Sequence, residues 1–248
     1  MKFPISVQMF TLRVETEKDF IGTLEKVAKI GYQGVEFAGY GNLTSAELKS
    51  HLDRLGLKAS GSHVSLELIK NSLDEVIKYN LEIGNKHIIC PMADFKDKEE
   101  LLQLAAILKN AAEKCKESGL SFSYHNHAHE FKDIDGQYGL DVLFAESGEL
   151  VLAEIDTYWV TRAGIDAAEY VRKYKGRCPL VHFKDMEPGE EKVFAEVGEG
   201  TMDFRSIAKA AEEAGAEWVV VEQDRCKRPA LESVKISYDN LKAMGIIE

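Results

Sequence analysis

One phrase recurs seven times along the chain: an amphipathic stretch, a glycine, at most a few residues, then a short apolar or β-branched run. It stands at Gly31 before residues 34–37, at Gly56 before 58–60, at Gly84 before 87–90 and at Gly119 before 121–125. It returns at Gly148 before 150–153, at Gly176 before 180–183 and at Gly215 before 218–222. A glycine just past a helix end adopts positive φ at little cost, so each one marks a helix stop. With the opening run over 5–10, the count reaches eight strands. The stretches between them carry the helical period, as in Phe20, Leu24, Val27 and Ala28, or Leu101, Leu104, Ala105, Leu108 and Ala112. Strict alternation implies parallel strands with right-handed crossovers, and eight such units predict a closed α/β barrel. An open doubly wound sheet is the alternative, but no glycine-rich dinucleotide fingerprint follows the first strand.

The length suits this reading. At 248 residues the chain has the usual size of one (β/α)8 TIM barrel, a single domain over 1–248. The formal net charge of −11 disfavours a nucleic-acid surface, which needs clustered Lys and Arg. Cys90, Cys115, Cys178 and Cys226 form no CxxC pair and offer neither a zinc knuckle nor a disulfide framework. Cys90 and Cys178 read as small apolar residues in or beside strands. The start, Met1-Lys2-Phe3-Pro4, has no signal-peptide pattern, and no apolar stretch approaches the ~20 residues of a membrane span. The expectation is a cytoplasmic protein without a membrane partner.

The polar residues then become informative. Glu36, His63, His125, His127, Glu154, Asp156, His182, Lys184, Glu222 and Asp224 each fall at or near the downstream end of a predicted strand. In a parallel barrel those ends share one mouth, and buried polar groups there need a reason. Imidazoles and carboxylates gathered in this way suit a divalent metal and acid–base chemistry. His125 and His127 face the same way if the strand runs through both; the pair fits a metal, and also a hydrogen-bonded structural role. Glu154 and Asp156 share parity on the next strand and need compensation of their charge. Lys184 reads either as a rim lysine paired with Asp185 or Glu187, or as a catalytic group. Glu36 and His63 stand where substrate hydroxyls could be bound. Trp159 and Tyr158 could wall a pocket or simply pack.

The runs Ser6-Val7-Gln8-Met9-Phe10-Thr11-Leu12-Arg13, Gly34-Val35-Glu36-Phe37 and Tyr124-His125-Asn126-His127 carry a family resemblance. So do Ile155-Asp156-Thr157, His182-Phe183-Lys184-Asp185, Val197-Gly198-Glu199-Gly200 and Val221-Glu222-Gln223-Asp224. Nearly end to end the chain resembles the xylose isomerase-like TIM barrels, a group of sugar isomerases and epimerases, inosose isomerases and inosose dehydratases. The resemblance implies a divalent ion (Mn, Mg, Co or Zn) bound by Asp156, His182, Glu222 and, on strand five, His125 or else His127. The epimerases carry a Glu at that first position, so the histidine weakens a two-carboxylate epimerase mechanism and gives weight to a dehydratase. The implied chemistry is proton removal beside a metal-bound carbonyl through an enediolate, with Glu222 or a strand-five histidine as base. Lys184 or His127 would steady the oxyanion or protonate a leaving hydroxyl, while Glu36, His63, Glu154 and Trp159 would contact the substrate. A small-molecule sugar or cyclitol is the implied partner, and a homodimer is the implied assembly. Two other readings stand beside it: an endonuclease IV-like nuclease, which the charge disfavours, and a non-catalytic sugar-binding barrel.

Overall fold

The computed structural model describes residues 2–247. Eight strands close into a parallel barrel: β1 Ile5–Gln8, β2 Gly34–Phe37, β3 Lys58–His63, β4 His87–Cys90, β5 Ser121–His125, β6 Val151–Asp156, β7 Leu180–Phe183 and β8 Trp218–Val221. Each strand pairs with its sequence neighbours, and β8 closes on β1 with Val7 opposite Val221. The main outer helices are α1 Phe20–Ile30, α2 Ser45–Leu55, α3 Leu73–Ile83, α4 Lys98–Glu117, α5 Gly139–Ser147, α6 Ala167–Lys173, α7 Phe204–Ala214 and α8 Ala230–Ala243. All seven glycines of the repeated phrase have positive φ.

Strand parity divides the core in two. Val35, Phe37, Ile88, Cys90, Phe122, Tyr124, Ile155, Val181, Phe183, Val219 and Val221 belong to the large apolar layer between barrel and helices. The opposite parity points inward. There Ile89, Leu180 and Val220, with Trp218 against them, form a separate small cluster. Two residues further along the same strands the inward side chains become His182 and Glu222. The barrel interior therefore combines this small apolar cluster with buried serines such as Ser6 and Ser60, hydrogen-bonded at 2.6 Å. It is capped by a polar layer at the C-terminal ends of its strands.

The strand limits differ from the sequence reading where polar groups intervene. β1 stops at Gln8 because Met9–Leu12 is a 3-10 turn, whose Phe10 amide donates to Gln8 Oε1 at 3.0 Å. β6 runs on through Glu154-Ile155-Asp156, and β3 continues to His63. The β2–β3 register shifts at Glu36, which sits opposite Gly61. A Cβ on Gly61 would lie 2.7 Å from Ile89 Cδ1 and 2.8 Å from Glu36 Oε1, so only glycine leaves room for that carboxylate. Cys90, Cys115 and Cys178 are buried, with burial pushing their thiols up to about 12, and all four cysteines are free. No described helix is long and apolar enough to cross a membrane.

Candidate metal centre

Asp156 shows how local sequence places a candidate ligand. It ends β6 and also caps the short helix Thr157–Arg162, its Oδ1 accepting from the Tyr158 and Trp159 amides at 3.0 and 3.2 Å. Oδ2 is thereby turned into the barrel, 2.8 Å from Lys184 Nζ and 3.6 Å from His125 Nε2. It is buried, and the Lys184 ammonium is its nearest cation. His182 reaches Glu222 Oε2 through Nδ1 at 2.9 Å and Glu36 Oε2 through Nε2 at 2.8 Å. His125 Nδ1 lies 2.9 Å from Glu154 Oε2, and His63 Nε2 lies 2.7 Å from the same oxygen. Lys184 Nζ is 2.8 Å from Glu222 Oε2 and 3.2 Å from Asp224 Oδ2.

Donor atoms of His125, Asp156, His182 and Glu222 all fall within 4.8 Å of one another, and all four residues are buried. A second overlapping quartet joins His63, Glu154, His125 and His182. Two imidazoles and two carboxylates are a donor set that could hold a divalent ion such as Zn or Mn. The electrostatics agree. Glu36, Glu154, Asp156, Glu222 and Asp224 outnumber Lys184 as formal charges here, and His63 and His182 pair with part of that acidity.

The titrations follow from burial and neighbours. Burial, reinforced by His182 and His63, holds His125 well below its usual value, leaving the neutral imidazole that metals bind. Burial and Lys184 lower His127 to about 3. Burial raises Asp156 to about 6 despite Lys184 and His182. Burial opposes the charge of Glu222, but Lys184 and His182 outweigh it and hold the carboxyl well below the carboxylate range. For His63, burial lowers the pKa, yet Glu36 and Glu154 raise it to about 10. In the metal-free protein this has a definite sign. His63 charged in the fold contributes stability in full below its usual 6.5 and loses it as pH climbs toward 10. With EDTA present, Tm should fall between pH 7 and 10, and His63→Gln should flatten that slope. An unchanged slope in the variant would contradict the assignment.

The structure brings His125, Asp156, His182, Lys184 and Glu222 together as the sequence pattern suggested. His127 lies beyond the end of β5, so strand parity does not place it. Its amide instead donates to buried Glu130 Oε2 at 2.8 Å, and its ring sits 5.1 Å from that of His125 and 5.4 Å from that of Trp159. The rim-lysine alternative for Lys184 is corrected: it is buried among Asp156, Glu222 and Asp224, while Glu187 pairs with Lys227. Glu36 and Glu154 stand among the same histidines: both are fully buried, with Oε2 of each engaged by histidines and Oε1 of each without a hydrogen bond.

Some supporting residues had been given no role. Gln8 donates to Glu36 at 2.7 Å. Asn126 Oδ1 accepts the Asp156 amide at 3.0 Å, tying β5 to β6 at the level of the ligands. Both stand at strand ends, where a search for any polar residue would find them. Glu130, in a 3-10 turn, has no such signal.

The fold is a closed parallel barrel whose C-terminal mouth carries a His/carboxylate quartet able to hold a metal ion. The chain belongs to the xylose isomerase-like TIM barrel family, whose sequence profile matches residues 24–244. It is similar to the rhizopine catabolism protein MocC of Rhizobium meliloti, 24% identical over 90% of this chain and 80% of that one. It is also similar to an inosose dehydratase of Clostridium botulinum (strain Alaska E43 / Type E3), 24% identical over 84% of this chain and 83% of that one. Among solved structures, a sugar phosphate isomerase/epimerase from Parabacteroides distasonis ATCC 8503 superposes with a TM-score of 0.86. That protein is 25% identical, and the match covers 98% of this chain and 99% of its own.

Proposed function

We propose that this chain is a metal-dependent isomerase or epimerase acting on the carbon beside a carbonyl in a sugar or cyclitol. The observation that carries the reading is Glu222, a buried carboxylate held by Lys184 at 2.8 Å and His182 at 2.9 Å within the candidate ligand quartet. His125, Asp156, His182 and Glu222 would hold the ion. A divalent ion there would supply Lewis acidity toward a carbonyl and its neighbouring hydroxyl, and Glu222 would take the C–H proton. Glu222 needs no prior deprotonation to serve as that base. Lys184 keeps its ammonium, held high against burial by Asp156 and Glu222, and can steady charge on a substrate oxygen. Return of the proton to the neighbouring carbon isomerises the substrate; return to the opposite face epimerises it.

Dehydration is the second reading, and His125 and His127 favour it. Strand five ends on His125, so no carboxylate on that strand stands ready as a second base for two-sided proton exchange. His127 stays a neutral imidazole with Nδ1 unengaged, beside Trp159, and fits proton transfer to or from a hydroxyl. One relative is itself an inosose dehydratase. Product analysis separates the two. Metal-loaded protein incubated with ketoses, aldoses and inososes should return isomers of unchanged mass under the first reading and products short of one water under the second. Conversion of none, with metal bound, would favour a non-catalytic sugar-binding barrel.

A further inference from the structure

We infer that the metal centre opens onto a second subsite that takes a ring substituent of the substrate, so that this chain acts on a keto-glycoside, whose carbonyl lies on the sugar ring, rather than on a free monosaccharide. This rests on the sugar reading above and names the substrate class within it. A cavity of about 690 Å³ lies at the mouth among the segments that follow β6, β7 and β8, with Tyr158, Trp159, Phe194 and Asp224 in its lining. That volume is in the range of small-ligand sites, about 300–1,000 Å³. Two of its residues also border the metal layer. Asp224 holds Lys184 at 3.2 Å, and the Trp159 ring stands 5.7 Å from the Lys184 ammonium and 5.4 Å from the His127 ring. None of the quartet residues lines the cavity, so a sugar seated at them would reach it past Trp159 and Asp224.

The wall is aromatic. Tyr158 and Phe194 stack with centroids 4.4 Å apart and planes at 24°, and Trp159 meets Phe194 edge-on at 5.8 Å. The Trp159 indole N–H is buried without a hydrogen-bond partner. An apolar wall carrying one unengaged donor recognises a ring face with an oxygen at its edge, as in a second sugar or an aryl group.

The cations around the cavity argue against a phosphate. Arg162 Nη1 donates to the carbonyls of Glu191 and Lys192 at 3.1 and 3.0 Å, and Lys192 Nζ donates back to Arg162 O at 3.0 Å. Lys227 pairs with Glu187 at 2.6 Å. These contacts fasten the hairpin of Asp185–Met186 and Phe194–Ala195 to the helix Thr157–Arg162, so the wall is formed in advance. Arg225, exposed at the rim, is the remaining cation of the lining.

Calorimetric titration of the metal-loaded protein tests this with glucose, galactose, their methyl and phenyl β-glycosides, cellobiose and glucose 6-phosphate. Phenyl glycosides and cellobiose should bind about tenfold tighter than the free sugars and methyl glycosides, the scale of one stacked ring. Phe194→Ala, which removes wall, and Val193→Trp, which fills the cavity, should each cancel that gain and leave monosaccharide affinity unchanged. Equal affinity across the series, absence of binding included, would overturn the subsite. So would a gain that survives both variants, or tightest binding by the phosphate that is lost in Arg225→Ala. The contrast is read without turnover. If it holds while no substrate reacts, the catalytic reading falls and the subsite stands; reaction on free sugars without the contrast gives the converse.

Discussion

Glu222→Gln is expected to lower proton exchange beside a substrate carbonyl by about 10³-fold or more, the upper range for losing a general base. Two effects combine in that loss, and they can be separated. Glu222 is both a donor of the buried quartet and the candidate base. The amide still offers an oxygen, so raising the metal concentration should restore occupancy without restoring exchange. Lys184 is expected to stay in place, because Asp156 and Asp224 still face it at 2.8 and 3.2 Å. Activity within tenfold of wild type at full metal occupancy would remove Glu222 from the chemistry.

Asp185→Ala should lower stability by about 3 kcal/mol, seen as a fall in Tm of roughly 5–10 °C. Asp185 is fully buried at the end of β7 and accepts from four backbone amides. Oδ2 takes Gly198 and Gly200, both at 2.9 Å, while Oδ1 takes Met186 at 2.7 Å and Met202 at 3.1 Å. One carboxylate therefore folds the loop behind the hairpin that presents Phe194. Gly200→Ala tests the same contact from the other side. Its Cβ would stand 2.2 Å from Asp185 Oδ1 and 2.5 Å from the Met186 carbonyl, so the loop must move. A loss below about 1 kcal/mol in both variants, by denaturant titration, would show that water replaces Asp185 as acceptor.

These residues also show how far the sequence could be read. Period and glycine stops predicted the barrel because both are local properties, and Gly56, Gly84 and Gly215 do cap α2, α3 and α7 in the left-handed conformation. Asp156, His182 and Glu222 were legible because a buried strand ending on a charged residue conflicts with its surroundings unless something compensates it. The partners were not legible. Lys184 stood next to Asp185 in sequence, yet strand alternation turns Lys184 inward to Asp156 and Asp185 outward to the loop amides. Glu36 and Glu154 read as mouth residues from their strand ends, but their histidine partners on other strands could not be read from local pattern. His127 was placed by strand parity, whereas Glu130 and the turn after β5 hold it. The Gly198-Glu199-Gly200 turn was visible, but the carboxylate that organises it lies thirteen residues upstream of the first glycine, a separation that no local pattern spans.

The most direct test is deuterium uptake. Metal-loaded protein would be incubated in D₂O with ketoses, aldoses, inososes and keto-glycosides, beside EDTA-treated and Glu222→Gln samples, and followed by NMR. Deuterium entering at the carbon next to the carbonyl in the loaded wild type, and lost in both controls, is the predicted result. No uptake from any substrate with the metal shown to be bound, or uptake that persists without metal or without Glu222, would contradict a catalytic metal centre at this mouth.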